Sequence, residues 1–276
     1  MVAMTALLCA PTGGFADSIL LSATSLTLLG GSAITNTGVT SITGNVGLFP
    51  TAVSAITGIP PAVITGGAII ATGPITEQAQ VDLAKAAAGL AGMPSTENLS
   101  GQDLGGMTLG PGVYTFDAAA GLTGNLTLDA QGRNNAFWVF QIGSSFTSAD
   151  SAIVRVINTG TQGGSDDGVF WDAVNAVVFG TDNTILGNYL AGSSITFTTG
   201  DHGSVRALAV QAITLDTNIV SSQDPNGGDW TGGLGYNESG QVVPVPEPAA
   251  FLWLGPLGAL SLVIWRRGSR ANHELL

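Results

Sequence analysis

Three alternations of apolar and polar residues near the end of the chain fall at one fixed interval. Val177-Val178-Phe179-Gly180-Thr181, Ile195-Thr196-Phe197-Thr198-Thr199 and Ile213-Thr214-Leu215-Asp216-Thr217 begin at positions 177, 195 and 213, a constant step. A fixed period of roughly 20 residues marks a solenoid. Within each unit the period of two predicts a strand with one buried face, with Val177, Phe179, Ile195, Phe197, Ile213 and Leu215 turned inward and the intervening threonines outward. Met107-Thr108-Leu109, Leu126-Thr127-Leu128 and Phe146-Thr147 repeat the pattern at spacings of 19 and 20. A coil of that length holds three short strands joined by tight turns, and the 40 glycines supply the turn positions. The predicted fold is all-β, a three-sided parallel β-helix.

One segment departs from this period. Over residues 76–92, Ala79, Leu83, Ala86, Ala87 and Leu90 recur every three to four positions, with Glu77 in the first turn and Met93-Pro94 as the stop. This predicts an amphipathic helix capped by Thr76, whose narrow Ala/Leu stripe suits packing along a flat solenoid side.

The two ends read as processing segments. Residues 2–10 are an apolar run, and Gly14-Phe15-Ala16 is a small-x-small pattern suited to cleavage, so residues 1–16 are expected to be a signal peptide. At the other end Val245-Pro246-Glu247-Pro248 precedes an apolar stretch, residues 249–265, that runs into Arg266, Arg267 and Arg270. That stretch lies at the lower limit of length for crossing a bilayer as a helix, and the arginines would hold the terminus on the cytoplasmic side. This arrangement resembles the PEP-CTERM sorting signal, and the resemblance implies an exosortase-type sorting protease as a partner and attachment to the inner membrane before processing. A permanent transmembrane anchor is the alternative. Either way, the domain is expected outside the inner membrane. The resulting division is 1–16 signal peptide, 17–222 β-helix domain, 223–244 Gly-rich linker and 245–276 sorting segment.

Composition narrows the partners. Apolar residues make up 45% of the 276, ample for one core, while only 9% are charged. Ser, Thr, Asn and Gly must therefore cover the surface. Between Asp17 and Pro246, 17 acidic residues stand against Lys85, Arg133, Arg155 and Arg206, a balance of −13. Nucleic acid is excluded as a partner, because phosphate contacts need clustered cations. The sole cysteine, Cys9, lies in the predicted signal peptide, so no disulfide is expected in the mature protein.

A set of longer motifs then carries a family resemblance. Ile42-Thr43-Gly44-Asn45-Val46-Gly47-Leu48-Phe49-Pro50, Ile56-Thr57-Gly58-Ile59-Pro60-Pro61, the Ala-rich helix, Leu104-Gly105-Gly106-Met107-Thr108-Leu109-Gly110-Pro111-Gly112-Val113-Tyr114, Leu126-Thr127-Leu128-Asp129-Ala130, Phe140-Gln141-Ile142-Gly143 and Gly187-Asn188-Tyr189-Leu190-Ala191 resemble the ice-binding-like domain family over most of the chain between the two ends. The resemblance implies a discontinuous right-handed β-helix with a long helix beside it, and adsorption to an ice crystal surface or ordered water. It also implies stacked Thr-(Ala/Gly)-x-(Thr/Asn) motifs. Thr37-Gly38-Val39-Thr40 fits, Thr181-Asp182-Asn183-Thr184 keeps both threonines, and Thr199-Gly200-Asp201-His202 and Thr217-Asn218-Ile219-Val220 lose the last one. The expected contact residues are Thr37, Thr40, Thr181, Asn183, Thr184, Thr199, Thr217 and Asn218. Asp182, Asp201 and His202 are expected to interrupt that array with charge and to keep the activity low.

Other chemistries find less support. Asp166, Asp167, Asp172, Asp182 and Asp201 are the carboxylates available to a polysaccharide-active enzyme. Asp166 and Asp167 sit in a Gly-rich turn, though, and the chain has only His202 and His273, so no enzyme is expected. Asp224-Pro225-Asn226-Gly227-Gly228-Asp229 lacks the ligand spacing of a calcium loop, and no cofactor is expected. The remaining alternative is a cell-surface or matrix protein using the same Thr/Asn faces to contact exopolysaccharide.

Overall fold

A computed structural model describes residues 18–224 and 228–247. Its strands pair in parallel into three ladders, and the chain visits them in a fixed rotation. The first ladder joins Glu97–Asn98, Gly112–Phe116, Phe137–Ile142, Gly168–Ala173, the second halves of Thr184–Ala191 and His202–Ala209, then Leu26–Gly30, Asn45–Leu48 and Ile69–Ala71. The second runs Ala120–Leu122, Phe146–Ser148, Val177–Val178, Ile195–Thr199, Ala212–Asp216, Ala33–Thr37 and Ile56–Thr57. The third runs Thr108–Leu109, Asn125–Asp129, Ile153–Ile157, the first halves of the two long strands, Ile219–Ser221, Ser41–Thr43 and Val63–Thr65.

Spatial order is not chain order. Ala33 pairs with Ala212 and Ser41 with Ile219, so the first coil stacks on the last one, in the interior of the pile. A helix, Pro74–Ala91, then carries the chain from the end strand Ile69–Ala71 back to the opposite end strand Glu97–Asn98. At 18 residues it is about 27 Å long. Eight inter-strand gaps on that ladder amount to about 38 Å, and the flanking turns make up the difference. The helix begins two residues earlier than the sequence suggested. Gly73 is its N-cap, Pro74 holds the first position, and the Thr76 hydroxyl lies 3.3 Å from the Gly73 N–H and 3.1 Å from its carbonyl.

The core follows the alternation. Val177, Phe179, Ile195, Phe197, Ile213 and Leu215 are all buried and stack coil on coil, as their constant spacing predicts. Beside them Phe140, Trp171 and Tyr189 stack at centroid distances of 3.9 and 5.4 Å. Thr108 does pair with Thr127, but Phe146 belongs to a different ladder from Leu126, which stacks on Val154. The step from Leu126 to Phe146 therefore crosses between ladders.

Within residues 223–244, expected as a linker, the described residues include paired strands. Leu234–Tyr236 and Val242–Pro244 form an antiparallel hairpin, with Leu234 buried and the Tyr236 hydroxyl donating to the Ile19 carbonyl at 3.1 Å. Arg206, 2% exposed, holds this region down. Its Nε donates to the Leu26 carbonyl (2.9 Å), Nη1 to Asn188 Oδ1 (2.6 Å), and Nη2 pairs with Asp229 (3.4 Å). The folded unit closes at Val245. The predicted signal peptide, Pro225–Gly227 of the acidic loop, Pro248, and the apolar stretch with its arginines lie outside the described residues. Among the described residues no helix is long and apolar enough to cross a membrane.

Candidate functional site

Each ladder has its own outward surface. On the first, Leu29, Leu208 and Leu190 line up in register and are buried beneath Ala79, Leu83, Ala86 and Leu90 of the helix. The third is uneven. Arg155 crosses it, with Nε donating to Thr127 Oγ1 at 3.1 Å, and a cavity of about 290 Å³ separates Arg155 and Leu186 from Trp230.

Among the described residues no element covers the second ladder. Along it Thr57, Thr35, Thr214 and Thr196 lie in register on four successive strands, followed by Val178, Thr147 and Gly121. Thr57, Thr147 and Thr214 are exposed, Thr35 and Thr196 half-buried. Two residues earlier on each strand runs a row of small side chains. Ala33 faces Ala212, and the carbonyls of Ser194, Ala176 and Ser145 continue the ladder by accepting from Val177, Phe146 and Ala120 N–H at 2.9–3.0 Å. Neither row contains a charged side chain. Strand spacing sets the repeat along each row at about 4.8 Å and separates the rows by about 6.7 Å. Thr is stiff at χ1, so methyl and hydroxyl positions are fixed by the backbone. The Thr35 and Thr214 hydroxyl oxygens are 3.4 Å apart.

The residues expected from the four-residue motif do not share this plane. Thr37, Thr181, Thr199 and Thr217 stand at the corner where the chain leaves the open ladder. Thr199 Oγ1 donates to Asp216 Oδ2 (2.7 Å) and Thr217 Oγ1 to Asp216 Oδ1 (3.0 Å). Thr184 lies on the third ladder, hydrogen-bonded to His202 (3.1 Å). Thr40, Asn183 and Asn218 are at most 1% exposed, and so are interior residues, not contact residues.

The corner's backbone explains the displacement. Gly38, Asp182, Gly200 and Thr217 have φ between 56 and 87°, the left-handed region. That region breaks the alternation, so Asn183, Asp201 and Asn218, each next in sequence, turn inward. Asp201, expected to interrupt the surface, is buried too, while Asp182 is exposed at the corner and His202 on the third ladder. What the motif missed was the tripeptide small-apolar-Thr in Ala33-Ile34-Thr35, Ala212-Ile213-Thr214, Ser194-Ile195-Thr196 and Ser145-Phe146-Thr147.

The carboxylates weighed as catalytic groups are scattered. Asp167 is buried and accepts from Ala136 N–H (2.9 Å), and burial pushes it up to about 7. Asp172 lies beneath the helix and is likewise pushed by burial to about 7. Asp166 accepts from Asn135 N–H (3.1 Å). Asp229 receives the N–H and hydroxyl of Thr231 as well as Arg206. No three His, Cys, Asp or Glu side chains among the described residues converge as metal ligands. At the sorting motif, Val245 N–H donates to Gly233 (2.9 Å), and Pro246 and Glu247 are exposed.

Comparison with known proteins agrees with this architecture. The model of the ice-binding-like family matches residues 28–221. The ice-binding protein of Nostoc sp. (strain HG1) is 40% identical over 250 residues, covering 89% of this chain and 85% of the relative. That of Colwellia sp. is 30% identical over 209 residues, 71% of this chain and 80% of the relative. The crystal structure of an ice-binding protein from Antarctomyces psychrotrophicus superposes with a TM-score of 0.69 at 33% identity, covering 76% of this chain and all of that one. In its motifs, its parallel ladders and its flanking helix, the chain belongs to the ice-binding-like family.

Proposed function

We propose that the domain adsorbs to ice through its open ladder, with Thr35, Thr57, Thr196 and Thr214 as the central contacts and Thr147 as an outlying one. The observation that carries this reading is the in-register threonine row beside a row of small residues, on a ladder that no described element covers and that carries no arginine. Each methyl and hydroxyl pair orders water weakly, and repetition at a fixed spacing makes the contacts act together. The row is broken at Val178 and bordered by Asp216 and Asp182, so the activity is modest. Thr37, Thr181, Thr199 and Thr217 flank the contact at its corner.

The test compares Thr214→Tyr on the open ladder with Thr43→Tyr on the third in an ice-recrystallisation assay, after their thermal midpoints have been matched. Thr214→Tyr should lose inhibition and Thr43→Tyr keep it. Full activity in Thr214→Tyr refutes the assignment. A wild-type domain with no effect on ice turns the same variants to the alternative, adhesion to exopolysaccharide.

The three ladders are read as the sides of one right-handed coil. The chain is read as an exported protein carried to the envelope by residues 1–16 and 245–276. In its support, the folded unit ends at Val245, where the Pro-Glu-Pro motif begins. Mass spectrometry of the envelope fraction should find cleavage near Pro246-Glu247-Pro248 by an exosortase-type protease. An intact C-terminus through Leu276 as the dominant species would leave only a simple anchor.

A further inference from the structure

The two ends of the stack are built differently. At one, residues 99–107 cap the last strands: Leu99 N–H donates to Thr115 O (2.8 Å), Leu104 N–H donates to Gly121 O (2.9 Å), and Asp103 pairs with Gly121 beyond the end strand of the second ladder. Leu99 and Leu104 are buried in the core, and so are Leu109, Ala120 and Leu122 of the strands they cap. Asp103 is tied down by Thr123, whose N–H and hydroxyl donate to its carboxyl at 2.9 and 3.1 Å. That end is closed, and it is acidic, with Glu97, Asp103 and Asp117 exposed on it.

The other end has no such cap among the described residues. Ile56–Thr57, Val63–Thr65 and Ile69–Ala71 each pair with one described neighbour, so all three ladders stop on a free edge. The inward row of each ladder runs out to that edge. Ile34, Ile42 and Val46 are fully buried, whereas their register partners on the final coil, Ile56, Ile64 and Ile69, are partly exposed, Ile69 by 38%. The interior that leucines seal at one end therefore meets water at the other. Val53, Val63 and Ile75 extend the apolar surface around it.

Charge narrows what can cover this end. Residues 18–76, which form the end coil and the coil beneath it, hold no charged side chain, in a chain of net charge −12. An ionic partner finds nothing to pair with. Two copies of the chain repel over most of their surface and least where these uncharged ends meet. Head-to-tail stacking is barred, because the closed end offers the 99–107 cap and its carboxylates where a strand edge would be needed. The same end of a second copy offers what this one does, free backbone N–H and C=O groups and uncharged aliphatic side chains. Identical edges meet about a two-fold axis, strand against strand in antiparallel sense. The strands are only two or three residues long, so burial of the isoleucines carries the contact and backbone pairing orients it.

We propose that the uncharged end coil is a self-association surface, through which two copies join end to end about a two-fold axis with Ile56, Ile64 and Ile69 of each at the centre. The capped opposite end stops the assembly at a dimer. Nothing in this inference depends on what the open ladder binds.

Sedimentation equilibrium over a concentration series tests it, on the full chain in mild detergent and on the domain ending at Val245, where the compact unit closes. Both should show a monomer–dimer equilibrium, and in the domain it should tighten with added salt, which screens the repulsion of the remaining surface and leaves an uncharged contact untouched. Val63→Glu, at an exposed position of the end coil, should weaken the dimer by about tenfold or more by setting like charges across the contact. Val63→Lys should do the same, and mixing the two variants should restore dimers. Val174→Glu, equally exposed but midway along the stack, should dimerise like the wild type. If Val63→Glu fails to fold, Val53→Glu, outside the strands of the end coil, takes its place. A monomer at every concentration, dimers indifferent to the end-coil charge, or dimers that weaken with salt overturn the proposal. So does association of the full chain that vanishes in the domain ending at Val245, which would assign the contact to the C-terminal segment.

Discussion

Leu208 and Thr214 stand on consecutive strands of one coil, and they face opposite fates. Leu208 points out from the first ladder and is buried at once under the helix, while Thr214 points out from the second and meets water. The backbone is the same in both places: parallel strands, inward apolar residues, an outward row repeating on each coil. The outward row alone decides what each surface joins. Leucines in register recruit a helix of the same chain, and threonines in register leave the ladder available to something outside it.

The strongest way to break this contrast is to remove the core both surfaces share. Phe197→Ala should destabilise the domain by about 3–5 kcal/mol in denaturant unfolding, because a large ring packed at 5.0 Å against Phe179 leaves a cavity. An unchanged midpoint would contradict its inward position. Next comes the covered surface alone. Leu208→Thr should cost about 2–4 kcal/mol, since it deletes buried methyl groups and places a hydroxyl under the helix.

A third effect is set by pH. Asp167, Asp172 and Asp201 all have folded values raised by burial above 3.8, to about 7, 7 and 6. Each therefore contributes stability that is complete below its unfolded value and is lost as the pH rises through the folded one. Asp82 and Asp103 act in the opposite sense. Although burial is the largest influence on each and favours the neutral form, the hydrogen bonds they accept prevail, lower both values, and remove stability as the pH falls below 3.8. The thermal midpoint should therefore peak near pH 4–5 and decline toward 8, and calorimetry across that range checks it. A midpoint that climbs steadily to pH 8 would mean these carboxyls are not buried as described. The smallest effect sharpens the contrast from the other side. Thr214→Leu should alter stability by no more than about 0.5 kcal/mol while reducing ice-recrystallisation inhibition, so that leucine is required on one ladder and unwelcome on the other.

Much of this was legible in the sequence. The constant spacing of Val177, Ile195 and Ile213 predicts their stacking, and the helical stripe of alanine and leucine predicts the helix to within a turn. The face was harder to read, because side-chain alternation is a rule for extended backbone and the Thr-x-x-Thr motifs straddle corners. At Asp182 or Gly200 a left-handed residue resets which side is out, so Asn183 and Asp201, which a linear reading puts on the surface, end inside. The small-apolar-Thr tripeptides lie wholly within strands and carry the face without that interruption. The hairpin at residues 234–244 is not legible in the sequence because its glycines read as a tether. What fastens that region is Arg206, bound to Leu26 and Asp229, together with Lys85, which lies 4.0 Å over the Tyr236 ring.

The insertion of the first coil against the last has a consequence for how the protein comes into being. A solenoid stacked in chain order can grow coil by coil as it emerges, and losing its tail costs only its end. Here the strand Ala33–Thr37 waits for Ala212–Asp216, so an early segment of the chain has no neighbour on that side until a late one is made. Contacts between segments so remote in sequence make closure slow, and they place the seam in the middle of the stack. Trimming the folded chain from either terminus would therefore weaken it at its centre: a domain lacking residues beyond 211 would keep both outer ends and be joined between them only where Leu28 and Leu29 pair with Ala207 and Leu208.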